Sequence, residues 1–301
     1  LQRLLFEKVK ELELPLGRAF GLLYQIFLGK SHGPKAGWLL SDLEKDFVEK
    51  QITNILKQKK PAEVYKFEVP ENSDTFSIDK EAKKRFPSIT VALAIIKGVH
   101  VEKTNSDLQK EIDAFVNAQS QLTTEQIGQF PELLSYRQLY KETGIDWHSR
   151  RPSPEALLRR IALKKGLYSI NTCVDAYNLV VMRNRISAGA FNLDEIAFPT
   201  MLRFAREGEQ IHLLGDSEPT KYKAGEIAYF DSVGGFNMDF NYRDAVRTQV
   251  DEHTKNLWIN LEGVYDISRE QVENALQETI DIITKYCGGT VEMTGIVTAK
   301  S

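Results

Sequence analysis

The stretch from Gln58 to Asp74 limits the fold of this chain more than any other part of its sequence. Here the residues turn to lysine, proline, glutamate and serine; Lys57, Lys59 and Lys60 cluster at its start, and Pro61 and Pro70 exclude a regular helix. Read as a linker, 58–74 divides the chain into a helical segment, 1–57, and a larger domain, 75–301. Upstream, Leu4, Leu5, Val9 and Leu12 recur at three-to-four spacing, Pro15 interrupts, and a second run from Leu16 to Leu28 ends at Gly29 and Gly33-Pro34. A third helix is predicted to open at Ser41 or Asp42, with Leu43, Phe47, Ile52 and Leu56 on its apolar side. Three short helices cannot hide their apolar faces alone. They must pack on one another, on the following domain or on something upstream.

Downstream, the pattern predicts a short strand near Phe76, a helix from Lys80 to Phe86 and a strand from Ile89 to Ile96, whose β-branched and small residues suit a sheet buried on both faces. Helices follow at 106–120, 131–143, 154–165 and 172–184, with Pro154 placed for a first helical turn. Strands are predicted at 201–205, 227–231, 234–240 and 256–261. A last helix runs from Ser268 to Tyr286, with Ser268 as N-cap, Gln271 at the capping-box position and Gly288 beyond its end. Helices and strands mix without regular βαβ alternation, which predicts an α+β domain with a mixed sheet, preceded by a small helical segment.

Of 301 residues 42% are hydrophobic, enough for a sizeable core, while a net charge of −3 argues against indiscriminate coating of nucleic acid; no DNA partner is expected. The longest apolar runs fall far short of the roughly 18 residues that cross a bilayer, and no signal pattern opens the chain. A soluble, cytoplasmic protein without a membrane partner is predicted. Leu1 in place of methionine is consistent with a piece of a longer polypeptide. Cys173 and Cys287 read as buried thiols, and His32, His100, His148, His212 and His253 are scattered without metal spacing, so no metal or cofactor is expected. The nucleophile elbow, the P-loop, the zinc-protease helix and the dinucleotide fingerprint are all missing.

Three polar stretches remain. Arg150, Arg151, Arg159, Arg160, Lys164 and Lys165 face a single acid, Glu155, in the segment 150–165, a positive stripe able to neutralise phosphates or, equally, to pair with acids elsewhere. Asn171, Asp175 and Asn178 follow at spacings of four and three along one side of a helix, either bracing backbone or lining a polar pocket. Asn237, Asp239, Asn241, Arg243, Asp244, Arg247 and Thr248 alternate with Phe236, Phe240 and Tyr242, as strand residues facing a cleft would. Arg243 and Asp244 there suit an ion pair or a carboxylate, phosphate or ribose ligand.

Four segments in common order resemble the B3/4 domain, the tRNA-editing module of the phenylalanyl-tRNA synthetase β subunit, over roughly 75–290. INTCVDAYNL (170–179) resembles the family's V-D-x-x-N helix entry, ISAGAFNLDEI (186–196) its P-x-H-A-F-D-x-D-x-I, and LRFAREGE (202–209) a further shared stretch; DEHTKNLWINLEG (251–263) resembles E-D-T followed by a strand ending in Leu-Glu. The resemblance implies that Asn178 matches an editing-pocket asparagine and Glu262 the glutamate that reads a tyrosine hydroxyl. Tyr177 stands where threonine is usual and Gly189 where the pocket histidine stands, which enlarges the expected space. Asn241 to Asp244 departs from the synthetase's glycine-rich loop and looks more like the free-standing family members.

LGKSHGPKAGW (Leu28 to Trp38), within Leu22 to Ile52, is similar to the C-terminal anticodon-cage helices of class I lysyl-tRNA synthetase, although the ATP-binding signatures are missing. Lys30, Lys35 and Trp38 are therefore candidates for RNA contact, or parts of a helix hairpin with Trp38 as packing anchor. Together the two resemblances imply tRNA or aminoacyl-tRNA as partner, with an upstream synthetase body or a second copy as further partners. Hydrolysis of a mischarged aminoacyl ester needs only a placed water and a stabilised oxyanion, which suits a chain without a nucleophile motif. That reading puts Asn171, Asn178 and Gly189 at the reacting ester, Tyr177, Asn241, Asp244 and Glu262 around the amino acid, and Arg243 or Arg247 on the terminal phosphate. The tRNA itself would lie on Arg150, Arg151, Arg159, Arg160, Lys164, Lys30 and Lys35. A tRNA-binding module without catalysis and a pocket for a small metabolite are the alternatives.

Overall fold

The computed structural model describes residues 2–11, 16–28, 34–58 and 75–300, so the predicted linker residues 59–74 lie outside them. The chain divides into two compact units, Leu1–Glu63 and Val64–Ser301.

The first unit holds four helices among its described residues: α1 (Gln2–Glu11), α2 (Leu16–Leu28), α3 (Ala36–Asp42) and α4 (Lys45–Gln58). The third predicted helix opens at Lys45 rather than at Ser41 or Asp42, and the pattern does not predict the short α3 before it. Gly37 lies inside α3, where a Cβ would sit 2.6 Å from the backbone nitrogen of Gln2; the bare glycine lets α1 approach. Leu43 then takes an extended backbone and stops α3 before Lys45 opens α4. The rings of Phe6 and Phe20 join α1 to α2 at 4.9 Å.

The second unit runs β1 (Phe76–Ile78), α5 (Lys80–Arg85), β2 (Thr90–Lys97), α6 (Ser106–Ala118), α7 (Thr124–Ile127), α8 (Pro131–Glu142), α9 (Ser153–Ala162), α10 (Thr172–Asn184), β3 (Ser187–Asn192), β4 (Thr200–Phe204), β5 (Gln210–Ile211), β6 (Thr220–Lys221), β7 (Ile227–Phe230), β8 (Asn237–Met238), β9 (Arg243–Asp244), β10 (Asn256–Gly263), α11 (Arg269–Cys287) and β11 (Thr290–Thr298). The main sheet is antiparallel in the order β11-β2-β10-β3; a smaller one, β1-β4-β7, pairs β1 parallel to β4 and β4 antiparallel to β7. This is an α+β fold. β2 sits between β11 and β10, and its near-continuous apolar run is buried as its sequence predicts. Ser268 and Gln271 close a reciprocal capping box at the start of α11.

Alternation along β10 fixes the site. Trp258, Asn260 and Glu262 share one face of the strand, and the Trp258 ring lies against Phe76 and Phe198 at 6.5 and 5.4 Å. That face therefore turns toward the smaller sheet, and it carries two polar side chains inward. Two predictions fail here. The strand expected at 234–240 shrinks to β8, because the next three residues leave the extended region, and β11 follows the helix that was read as the last element. Among the described residues no helix is long and apolar enough to cross a membrane, and no group of three or more His, Cys, Asp or Glu side chains could hold a metal. Cys173 and Cys287 are free and buried.

Candidate functional site

Two polar regions stand out, one sealed and one open. The sealed region lies where β10 faces the β8–β9 hairpin. The hairpin turn is Asp239, Phe240 and Asn241, with φ of 49°, 50° and 56°, three successive left-handed residues of which none is glycine. Asparagine and aspartate tolerate that region better than most residues, but phenylalanine does not, so the turn is strained. The surroundings hold it. Tyr140 Oη donates to the carbonyl of Asp239 at 2.6 Å and Ser187 Oγ to that of Phe240 at 2.9 Å. Arg150 donates to Asp239 Oδ2 at 2.9 Å and also to the buried Glu226.

The turn delivers the Asn241 amide to the interior. Its Nδ2 donates to Glu262 Oε1 and Oε2 at 2.9 and 2.8 Å and to Asn260 Oδ1 at 3.2 Å, while its Oδ1 accepts from Asn237 Nδ2. Tyr229 Oη donates to Glu262 Oε2 at 3.1 Å. Glu262 has no exposed surface, and burial pushes its carboxyl well above the usual range, against the hydrogen bonds that favour its charge. Asp239, buried beside Glu226, is raised to about 7 by burial first and by that neighbour's charge second. Asp244 is half-buried, yet its Oδ1 is sealed without a partner, and burial lifts it to about 7 as well.

The open region is a cleft of about 260 Å³ between α6, α10 and the loop 166–169 that joins α9 to α10. Asp113, Asp175 and Asn178 supply its polar wall, Ile112, Val116, Leu157 and Met182 its apolar one. Asp175 accepts from Ser169 Oγ and the Ile170 backbone nitrogen, both at 2.9 Å; burial nevertheless raises its pKa. Tyr168, 67% exposed, stands at the rim. Arg160 fixes that rim by donating to the carbonyls of Gly166 (2.8 Å) and Lys165 (3.3 Å), with its guanidinium 3.8 Å from the Tyr168 ring centroid. Lys164 and Lys165 are exposed beside it.

These placements correct several expectations. Asn178 lines the open cleft, whereas Glu262 is enclosed elsewhere and absent from its lining, so the two do not wall one recess. Gly189 does not enlarge the site. A Cβ on it would overlap Oδ1 of Asn241 and come within 2.8 Å of Phe191, so the space is already filled by the asparagine. Asn171 is the N-cap of α10, accepting from Val174 and donating to the carbonyl of Val250, and both ends of its amide are spent on bracing. Tyr177 is buried near Asp244. Arg243 pairs with Asp216 at 2.6 Å and Arg247 with Asp231 at 2.8 Å, which takes both from the phosphate role.

The positive stripe splits. Arg150 is spent on Glu226 and Asp239 and Arg151 on the buried Glu155, which also pairs with Arg137. Arg159 is near enough to Glu125 to add its charge to the hydrogen bonds that hold that carboxyl below its usual range. Arg160 is spent on the carbonyls of Gly166 and Lys165 beneath Tyr168, and Lys164 is exposed just before the loop that lines the cleft. In the first unit Lys30 lies outside the described residues, and Trp38 is 65% exposed rather than a packing anchor, with Lys35 Nζ 5.3 Å from its ring centroid. The sequence reading missed Tyr229 and Asn260, although the period-two spacing of Asn260 and Glu262 signals a shared face. It also missed Tyr168, whose one signal is an aromatic between the basic run and the helix cap.

The model of the B3/4 domain family matches residues 135–288, starting well after the residue 75 expected from the sequence. Among solved structures the chain is similar to an N-terminal fragment of the phenylalanyl-tRNA synthetase β-subunit from Pyrococcus horikoshii, at 19% identity and a TM-score of 0.42. The likeness covers 81% of this chain, which spans 57% of that one. No curated protein shows significant sequence similarity to the chain.

Proposed function

The chain belongs to the B3/4 domain family, and from that premise we propose that it binds tRNA, taking the aminoacylated 3′ end into the cleft between α6 and α10. One observation carries the reading. The cleft has the exposed Tyr168 ring at its rim, stacked on the half-buried Arg160, with the exposed Lys164 and Lys165 immediately before its loop in the chain, and is walled by the carboxylates of Asp113 and Asp175. A terminal nucleotide offers a base to stack on the ring and phosphates to the lysines, and an aminoacyl ester adds an ammonium suited to a carboxylate wall. The resemblance of the helical unit to the lysyl-tRNA synthetase C-terminus extends this reading. Lys35 and Trp38 are then a second RNA contact, and the chain acts in the cytoplasm alongside a synthetase body.

A second reading, hydrolysis of the ester of a mischarged tRNA, is favoured by Asp175. Its pKa is raised by burial, and it stands one helical turn from Asn178 in the same cleft. A carboxylate so placed can accept a proton from an attacking water while the amide donates to the ester oxygen. The test is a panel of correctly and wrongly charged tRNAs offered to the purified chain, with retention and amino-acid release followed separately. Retention that falls steeply with salt and weakens in a Lys164→Ala/Lys165→Ala variant supports binding; release lost in Asp175→Asn supports hydrolysis. No retention of any tRNA at low salt rejects both.

A further inference from the structure

A second recess, of about 560 Å³, shares no lining residue with the cleft of Asn178. Glu81, Lys84 and Arg85 line it from α5, Phe204 and Ala205 from the end of β4, and Gly225 from the turn before β7. The Arg85 guanidinium lies over the rings of Phe86 and Phe204, 5.4 Å from each centroid, and donates to the carbonyl of Glu142. These contacts fix its plane, with two rings behind it, on a side chain that is exposed. Among the described residues neither Arg85 nor Lys84 forms an ion pair. The Glu142 carboxylate feels the Arg85 charge but is held by Gln138 at 3.0 Å.

We propose that this recess binds a ribonucleotide carrying a 5′-phosphate. Its base stacks on the outer face of the Arg85 guanidinium and its phosphate meets Lys84. Glu81 stands one helical turn before both cations, on the same side of α5, and accepts from the ribose hydroxyls. Gly225 turns the chain at a φ of 88°, and nothing lies within 4 Å of where a Cβ would stand, so this side of the recess is bare backbone that a ligand can approach. A simple anion has no donor for Glu81, and an uncharged ring has nothing for Lys84; a nucleotide answers all three groups. The proposal goes beyond the reading of the α6–α10 cleft and does not rest on it.

Adenosine monophosphate (AMP) titrated into the full chain at low salt, followed by calorimetry, should bind saturably. Arg85→Lys keeps the charge and loses the plane, so it should weaken that binding about tenfold. Lys84→Ala should weaken AMP and leave adenosine unchanged, and Glu81→Ala should remove the preference for AMP over its 2′-deoxy analogue. A photoreactive AMP should attach within 81–85 or 204–205. Displacement of that label by tRNA assigns the bound unit to an RNA chain, and its persistence assigns it to a free nucleotide; both uphold the site. No saturable binding to the wild type, or binding kept in full by Arg85→Lys and by Lys84→Ala, overturns the proposal. So does a label outside those two stretches, and one confined to 164–178 would do so while leaving the tRNA reading in place.

Discussion

Glu262 and Asp175 are both carboxylates withdrawn from water with raised pKa values, yet they belong to opposite kinds of site. Glu262 is met on every side by the chain's own groups, from Asn241 and Tyr229, and has no path to a partner while the hairpin turn is in place. Asp175 is braced on one side by Ser169 and Ile170 and opens on the other into a cleft with an aromatic and cationic rim. A buried polar residue in a sequence is thus evidence of satisfied chemistry before it is evidence of function. What separates the two is whether the fold itself supplies the last partner.

That contrast predicts where substitutions act. Glu262→Ala should cost about 3–5 kcal/mol of stability, read by urea unfolding, because Asn241 and Tyr229 lose a buried partner; tRNA retention by the folded fraction should hardly change. A full loss of retention there would merge the two regions. Raising the pH comes next. Asp239 ionises near 7 in the fold and near 3.9 unfolded, so the folded state binds the extra proton between those values. Its contribution is complete below pH 4 and is lost as the pH rises through 7, about 4 kcal/mol in all. Asp239→Asn, which the left-handed turn accepts, should flatten the unfolding profile between about pH 4 and 7.

Gly189→Ala should cost about 1–3 kcal/mol through overpacking against Asn241. A neutral result would mean that Asn241 moves aside easily, so that the sealed side is looser than its hydrogen bonds imply. The smallest stability change belongs to the open side: Tyr168→Ala should shift unfolding by no more than about 0.5 kcal/mol while weakening tRNA retention about tenfold, the loss of one stacked base.

Much of the fold was legible. Helix α10 spans Thr172–Asn184, the same 172–184 that its pattern predicts, and the capping box of Ser268 and Gln271 closes as spaced. Local signals sufficed there because the partners lie within a turn of helix. The hairpin was not legible, since no glycine marks the left-handed Asp239, Phe240 and Asn241, and what holds them comes from Tyr140, Arg150 and Ser187, far away in the chain. The same distance hid the fate of the positive stripe: Glu155 is local to Arg151, but Glu226 and Asp239, which neutralise Arg150, become neighbours only on folding. The missing imidazole at Gly189 was read as empty space for a related reason, as the side chain that fills it comes from another hairpin.

The most direct measurement is photocrosslinking of a tRNA carrying a photoreactive base at its 3′-terminal nucleotide, with the attached peptide mapped by mass spectrometry. The account predicts attachment within 164–178, at or beside Tyr168, and its loss in Tyr168→Ala. Attachment to the 237–244 hairpin or to β10 in the wild type, with the 164–178 peptide untouched, would contradict it.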